Sequence, residues 1–246
     1  MGWLLALLLA TQLSLPQLFD QALAASRDGQ FGEALPLWDR VVVEAPNDAS
    51  AWSNRGNVQL ALGHPEAAIA DQDRAIELEP DSVDPRLNRG TAEEALAQWD
   101  RAAADYRWIL ERNPTEASAL YNLGNVEGSR GDWPAARRCF EAAAAARPGF
   151  AMARSSLALS RFELGDLAGA EREFRNLIRR YPLFADPRAG LTALLWQRGA
   201  LGEAESNWAA ASGLDPRYRQ PEWLARIRRW PPGPVHALEA FLDLAS

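Results

Sequence analysis

From residue 15 onward, apolar and polar positions recur with a helical period, and turn-forming residues interrupt that period at a fixed interval. Prolines stand at Pro46, Pro80, Pro114, Pro148, Pro182 and Pro216, each 34 residues after the last. Alanines keep the same interval at Ala34, Ala68, Ala102, Ala136, Ala170 and Ala204. Five residues before each alanine come Gly29, Gly63, Ala97, Gly131, Gly165 and Gly199. Four residues after come Trp38, Gln72, Tyr106, Phe140, Phe174 and Trp208. Six repeats, 15–48, 49–82, 83–116, 117–150, 151–184 and 185–218, therefore fill residues 15–218 without an insertion. A period of this size means stacked supersecondary units, each burying its apolar face against the next.

Each repeat reads as two amphipathic helices. In the second repeat they are expected over Ala51–Leu62 and Pro65–Glu79. Gly63 ends the first helix, because glycine takes the left-handed conformation of a C-cap without a Cβ penalty. Pro65 and Pro134 suit the first turn of a second helix, and prolines such as Pro80 stop it. Small residues at Ala22, Gly56, Gly90, Gly124 and Ala158 let paired helices approach closely, and the aromatic after the constant alanine fills the space between neighbours.

This register resembles the tetratricopeptide repeat (TPR) family. The family's pattern is carried by Trp52, Gly56, Ala68 and Pro80, and again by Leu120, Leu123, Gly124, Ala136, Phe140 and Pro148. The resemblance implies an all-α fold, a right-handed α-solenoid of six 34-residue helix pairs whose first helices line a concave groove. It also implies a non-catalytic scaffold, an adaptor or assembly factor that binds a protein or peptide in that groove. Arg86, Arg154 and Arg188 depart from the family's tryptophan, Thr192 replaces the small glycine, and Pro36 falls inside a second helix. Looser packing is expected at those points.

The ends need separate treatment, because a terminal repeat has one uncovered apolar face. Residues 219–246 are expected to form a C-terminal cap, with helices over Pro221–Trp230 and Val235–Leu244. The alternative is a docking tail that presents Trp223, Trp230 and Phe241. At the other end, residues 1–14 form an apolar segment in which Gly2–Ala10 is nearly all apolar, and the uncharged stretch continues to Phe19. A membrane-spanning helix needs about 20 apolar residues, and Thr11, Gln12, Ser14, Pro16 and Gln17 interrupt this run. Three readings stand: a membrane anchor or uncleaved export signal, a signal cleaved after Ala24, or an apolar cap on the first repeat. The segments Phe19–Ser26, Arg179–Pro182 and Arg228–Pro232 further resemble TPR proteins of cyanobacteria and the chloroplast thylakoid lumen. That resemblance implies an exported or membrane-associated location (thylakoid lumen or periplasm), membrane association through residues 1–19, and a membrane or thylakoid complex as client. A cytoplasmic protein is the alternative.

Composition then narrows the chemistry. All 26 bases are arginine against 33 acids, a net charge of −7, which disfavours nucleic acid as a partner. One cysteine, Cys139, permits no internal disulfide and no cysteine-based zinc site. His64 lies in a turn and His236 opens the last helix; neither has a histidine or cysteine beside it. No phosphate loop, zincin or nucleophile-elbow motif occurs. The chain is therefore read as no enzyme, with no catalytic residue, metal or cofactor. A glycan-active enzyme on a helical solenoid is the distant rival.

Binding information is expected on the groove side of the first helices. Asn54, Asn57, Asn88, Tyr121, Asn122, Asn125, Phe162 and Trp196 are the candidate groove residues. Asparagine amides can both donate to and accept from an extended peptide backbone, and aromatics supply anchors. The basic positions with which some TPR proteins grip a carboxylate tail hold Ser53, Ser118 and Asn122 here, which disfavours that ligand. Repeats one to three carry 19 acids and nine arginines, repeats four to six 11 acids and 13 arginines. That asymmetry suits different partners at opposite ends, or orientation of the rod at a surface. The rival binding mode is stacking of exposed end faces into a homo-oligomer.

Overall fold

The computed structural model describes residues 13–244, so the expectations placed on residues 1–12 lie outside the described residues. The described residues form fourteen α-helices, one short 3-10 turn and no strand. They are α1 (Leu15–Arg27), α2 (Phe31–Glu44), α3 (Ala49–Ala61), α4 (Pro65–Leu78), α5 (Val83–Ala95), α6 (Trp99–Arg112) and α7 (Ala117–Ser129). Then follow α8 (Trp133–Ala146), α9 (Ala151–Glu163), α10 (Leu167–Arg180), α11 (Ala185–Gln197) and α12 (Leu201–Leu214). The 3-10 turn Pro216–Arg219 leads to α13 (Pro221–Arg226) and α14 (Pro232–Leu244). Each 34-residue repeat is thus one helix pair. Among the described residues no helix is long and apolar enough to cross a membrane.

The chain divides into two compact units at Asp105/Tyr106, within α6. In the amino-terminal unit, α1 packs on α2, α2 on α3, α3 on α4 and α4 on α5. Its core holds Leu18, Ala22, Ala34, Trp38 and Val41, all fully buried. The Trp38 indole donates to Ser26 Oγ at 2.9 Å, and Phe19 meets its ring edge-on at 5.0 Å. α2 runs unbroken through Pro36, which is exposed. The turn between α5 and α6 shows what the missing glycine costs. Gly29 and Gly63 have φ of 74° and 82°, and Ala97 is held at 54° in the same place. An L-residue pays a steric penalty there that glycine does not.

In the carboxyl-terminal unit, α7 packs on α8, α8 on α9, α9 on α10, α10 on α11 and α11 on α12. At the α7–α8 crossing, a Cβ on Gly124 would lie 2.6 Å from the Phe140 ring, so only glycine permits the approach. Thr192 is fully buried and its hydroxyl donates to the Arg188 carbonyl at 2.9 Å. The final segment departs from expectation. α13 stops at Arg226 rather than Trp230, the chain turns through Arg229 at φ 54°, and α14 starts at Pro232 rather than Val235. Proline at the start of α14 suits a first helical turn.

Candidate functional site

Two devices position the first helices. The first is an ionic ladder in the amino-terminal unit. Arg55 on α3 donates to both oxygens of Asp71 on α4, at 2.8 and 2.6 Å, and to Asp39 on α2 at 3.1 Å. Arg89 on α5, one repeat later, does the same with Asp105 at 2.8 and 2.7 Å and with Asp73 at 2.7 Å. Burial opposes the charge on both arginines, but the hydrogen bonds to Asp71 and Asp105 dominate and raise their pKa values. Each arginine clamps a first helix between two second helices. Beside the ladder, Glu93 is 2% exposed, takes Arg101 Nε at 3.0 Å, and leaves Oε2 without a hydrogen bond. Burial, with Asp105 adding to it, pushes the Glu93 carboxyl up to about 7.

The ladder leaves an open, polar groove of about 470 Å³ between α3 and α5. Ser50, Ser53, Asn54 and Asn57 of α3, Glu79 and Ser82 of the connection, and Asp84 and Asn88 of α5 line it. Asn88 Nδ2 donates to Ser53 Oγ at 3.3 Å, and Gln72 Nε2 donates to Asn57 Oδ1 at 3.2 Å from below. Asn54 has no hydrogen bond among the described residues, which leaves its amide available to a ligand. Three of the expected groove residues, Asn54, Asn57 and Asn88, are thus brought together.

The second device closes the corresponding face in the carboxyl-terminal unit. α14 packs against α11 and α9, the first helices of repeats six and five. Asp186 at the start of α11 is fully buried and holds the closing segment. It accepts from Ser155 at 2.6 Å, Tyr218 at 2.7 Å, Arg228 at 2.6 and 3.0 Å, and Trp230 Nε1 at 3.1 Å. Burial works against the Arg228 charge, yet Asp186 outweighs it and raises the guanidinium pKa. Burial, reinforced by Asp186, raises the Tyr218 phenol. Glu163 accepts from the Gly233 backbone at 2.7 Å and fixes the start of α14.

This placement corrects several expectations. Phe162 is 5% exposed, and Trp196 lies half-buried against Phe241, with ring centroids 5.9 Å apart. Both pack in the core on which α14 lies, and what is left open to them is a pocket of about 550 Å³ walled on one side by Gly233, His236, Ala237 and Ala240. Trp230 and Phe241, weighed as tail contacts, are buried at 3% and 4% exposure, while Trp223 is half-buried against Tyr218. Tyr121 packs between Phe140 and Phe150, at 5.7 and 5.0 Å. Asn122 and Asn125 are half-buried on α7. Cys139 is half-buried, and burial lifts its thiol to about 11, which disfavours the nucleophilic thiolate. Among the described residues, no group of three or more His, Cys, Asp and Glu side chains comes together as a metal requires.

The family model described as Tetratricopeptide repeat matches residues 19–83, 87–149, 124–182 and 155–218, well over half of the chain. The chain belongs to the tetratricopeptide repeat family. No curated protein matches it significantly. Solved TPR structures share its fold. One from Parabacteroides merdae is 18% identical with a TM-score of 0.66, over 94% of this chain and 91% of that one. A MamA fragment from Desulfovibrio magneticus RS-1 is 21% identical with a TM-score of 0.60, over 68% and 95%. YrrB, described as a TPR protein with an unusual peptide-binding site, is 18% identical with a TM-score of 0.56, over 73% and 92%. Proteins of this TPR class serve as protein-interaction scaffolds. In this TPR chain the ladder arginines, and the role of Asp186 in holding the closing segment, could not be told from the local sequence. The 34-residue spacing of Arg55 and Arg89, with an aspartate 16 residues after each, was the signal that could have found the ladder.

Proposed function

We propose that this protein is a non-catalytic adaptor or assembly factor that holds an extended segment of a partner protein in the groove between α3 and α5. The observation that carries the reading is the contrast between the two faces. The α9–α11 face carries α14, which leaves only a pocket edged by Phe162 and Trp196 beside it, while the α3–α5 face carries no helix of the chain and is lined by amides and hydroxyls. Side-chain amides can replace the hydrogen bonds of a peptide backbone. YrrB, the structural neighbour with an unusual peptide-binding site, supports the same reading. A membrane or thylakoid client, and an exported location, belong to this proposal and rest on the short sequence resemblances alone. The test is purification of tagged protein from its own cells, with wild type and an Asn54→Ala/Asn88→Ala variant compared by mass spectrometry. A stoichiometric partner lost from the variant, with helicity unchanged by circular dichroism, is the expected result. A partner retained in full by the variant overturns the groove reading.

A further inference from the structure

We infer that the α3–α5 groove recognises an arginine of the partner segment, with Asp84 as the acceptor of its guanidinium; this rests on the groove being the binding face. The 34-residue register carries the argument. Asp84 and Asp186 are 102 residues apart, three whole repeats, and so are Ser53 and Ser155, and Ser50 and Met152. In repeats five and six this position is already occupied by an arginine from the turn between α13 and α14. Arg228 places Nε and Nη2 on one oxygen of Asp186, at 3.0 and 2.6 Å, and Nη2 lies 3.6 Å from Met152 Sδ. Ser155 holds the other carboxylate oxygen at 2.6 Å. Carboxylate, serine and the residue one repeat before the carboxylate therefore form a guanidinium site whose occupant is visible.

In repeats two and three the same three positions, Ser50, Ser53 and Asp84, all line the open groove. Here the guanidinium is missing. Asp84 is exposed and, among the described residues, takes part in no hydrogen bond or ion pair. The neighbouring arginines cannot supply it, since Arg55 and Arg89 are committed to the ladder. Glu79 adds a second acid and no base lines the groove. Residues 15–105 as a whole carry 17 acids and seven arginines. Such a field attracts cationic segments and repels a carboxylate-terminated one. Arginine is favoured over lysine because a planar guanidinium can offer two N–H donors to one carboxylate, as Arg228 does.

The test uses the full chain and a fluorescein-labelled peptide with the sequence of residues 226–232, read by fluorescence anisotropy. A second peptide carries Gln in place of Arg226, Arg228 and Arg229. The arginine peptide is expected to bind, and both Asp84→Asn and the Gln peptide are expected to weaken binding by roughly tenfold or more, the range for a charged hydrogen bond. Combining the two changes should cost little beyond either one, and added salt should weaken only the wild-type pairing. Equal binding of the Gln peptide, lost on Asn54→Ala/Asn88→Ala, overturns arginine recognition and leaves the groove reading standing. Loss on Asp186→Asn but not on Asp84→Asn means that the peptide has exchanged with the chain's own segment, and it too overturns the inference. So does the absence of binding by either peptide.

Discussion

Replacing Asp186 by alanine should release the closing segment from the carboxyl-terminal unit. The carboxylate is fully buried and four side chains donate to it, Ser155, Tyr218, Arg228 and Trp230. The Arg228 side chain is itself only 17% exposed. Removing one partner of a buried ion pair costs about 3–5 kcal/mol, because the other charge stays desolvated and unpaired. Three neutral donors also lose their acceptor, but the segment can swing outward and rehydrate them, which caps the loss. We expect about 4 kcal/mol, a large share of the 5–15 kcal/mol typical of a whole domain. Repeat proteins open locally, so the effect should concentrate in α13 and α14 rather than spread evenly. Urea unfolding followed by tryptophan fluorescence gives the magnitude, and amide exchange gives the location. The companion variant Asp186→Ala/Arg228→Met removes both charges and should recover much of the loss. A loss under about 1 kcal/mol, or a double variant no better than the single one, would refute an ion pair that governs closure.

Three further outcomes follow from the same structure. Trp196→Ala removes the ring on which Phe241 rests, so it should lower Tm and expose α14 to protease; an unchanged Tm would return Trp196 to the list of open groove residues. Ala97→Gly relieves a left-handed alanine and should raise stability by about 0.5–1 kcal/mol in urea unfolding, a gain that fails if the φ of 54° is not strained. Glu93 has its carboxyl raised from an ordinary value of 4.5 to about 7, so the folded state holds its proton more tightly than the unfolded state. Its ionisation therefore drains stability as pH rises from about 4.5 through 7. Glu93→Gln should raise Tm at pH 8 and give no such advantage at pH 4, and a pH-independent difference would contradict the assignment.

The fold was legible because repetition multiplies weak signals. One Ala or Pro says little, but six of each in a single register define every helix pair to within a few residues. The ladder was legible in principle and was passed over for a physical reason. Charged residues on a helix usually mark a solvated face, and nothing local distinguishes Arg55 from such a residue. What distinguishes it is that Asp71 and Asp39 each lie 16 residues away, one pairing within its repeat and one reaching the repeat before. The closing segment was legible as a capping helix pair over residues 219–246, but the contacts that fasten it were not. The closing segment's donors to Asp186, namely Tyr218, Arg228 and Trp230, lie 32, 42 and 44 residues away, and none of those separations belongs to the repeat.

The misplaced aromatics and the correctly grouped asparagines have one common cause. A first-helix position that faces the groove must be apolar if something apolar covers it and polar if water or a ligand does. The sequence shows the polarity but not what lies above it. Phe162 and Trp196 carry the pattern of a helix-binding surface, and an amphipathic helix does lie on them, through Leu238 and Phe241. That helix belongs to the same chain. Asn54 and Asn88 carry the pattern of a hydrated or backbone-binding surface, and the α3–α5 groove they line is open. With α14 packed on the apolar face, the polar groove in the acidic half of the chain is the site whose lining best suits a peptide backbone. Its repeat-equivalent, already filled by Arg228, says what kind of side chain the vacant copy is shaped to accept.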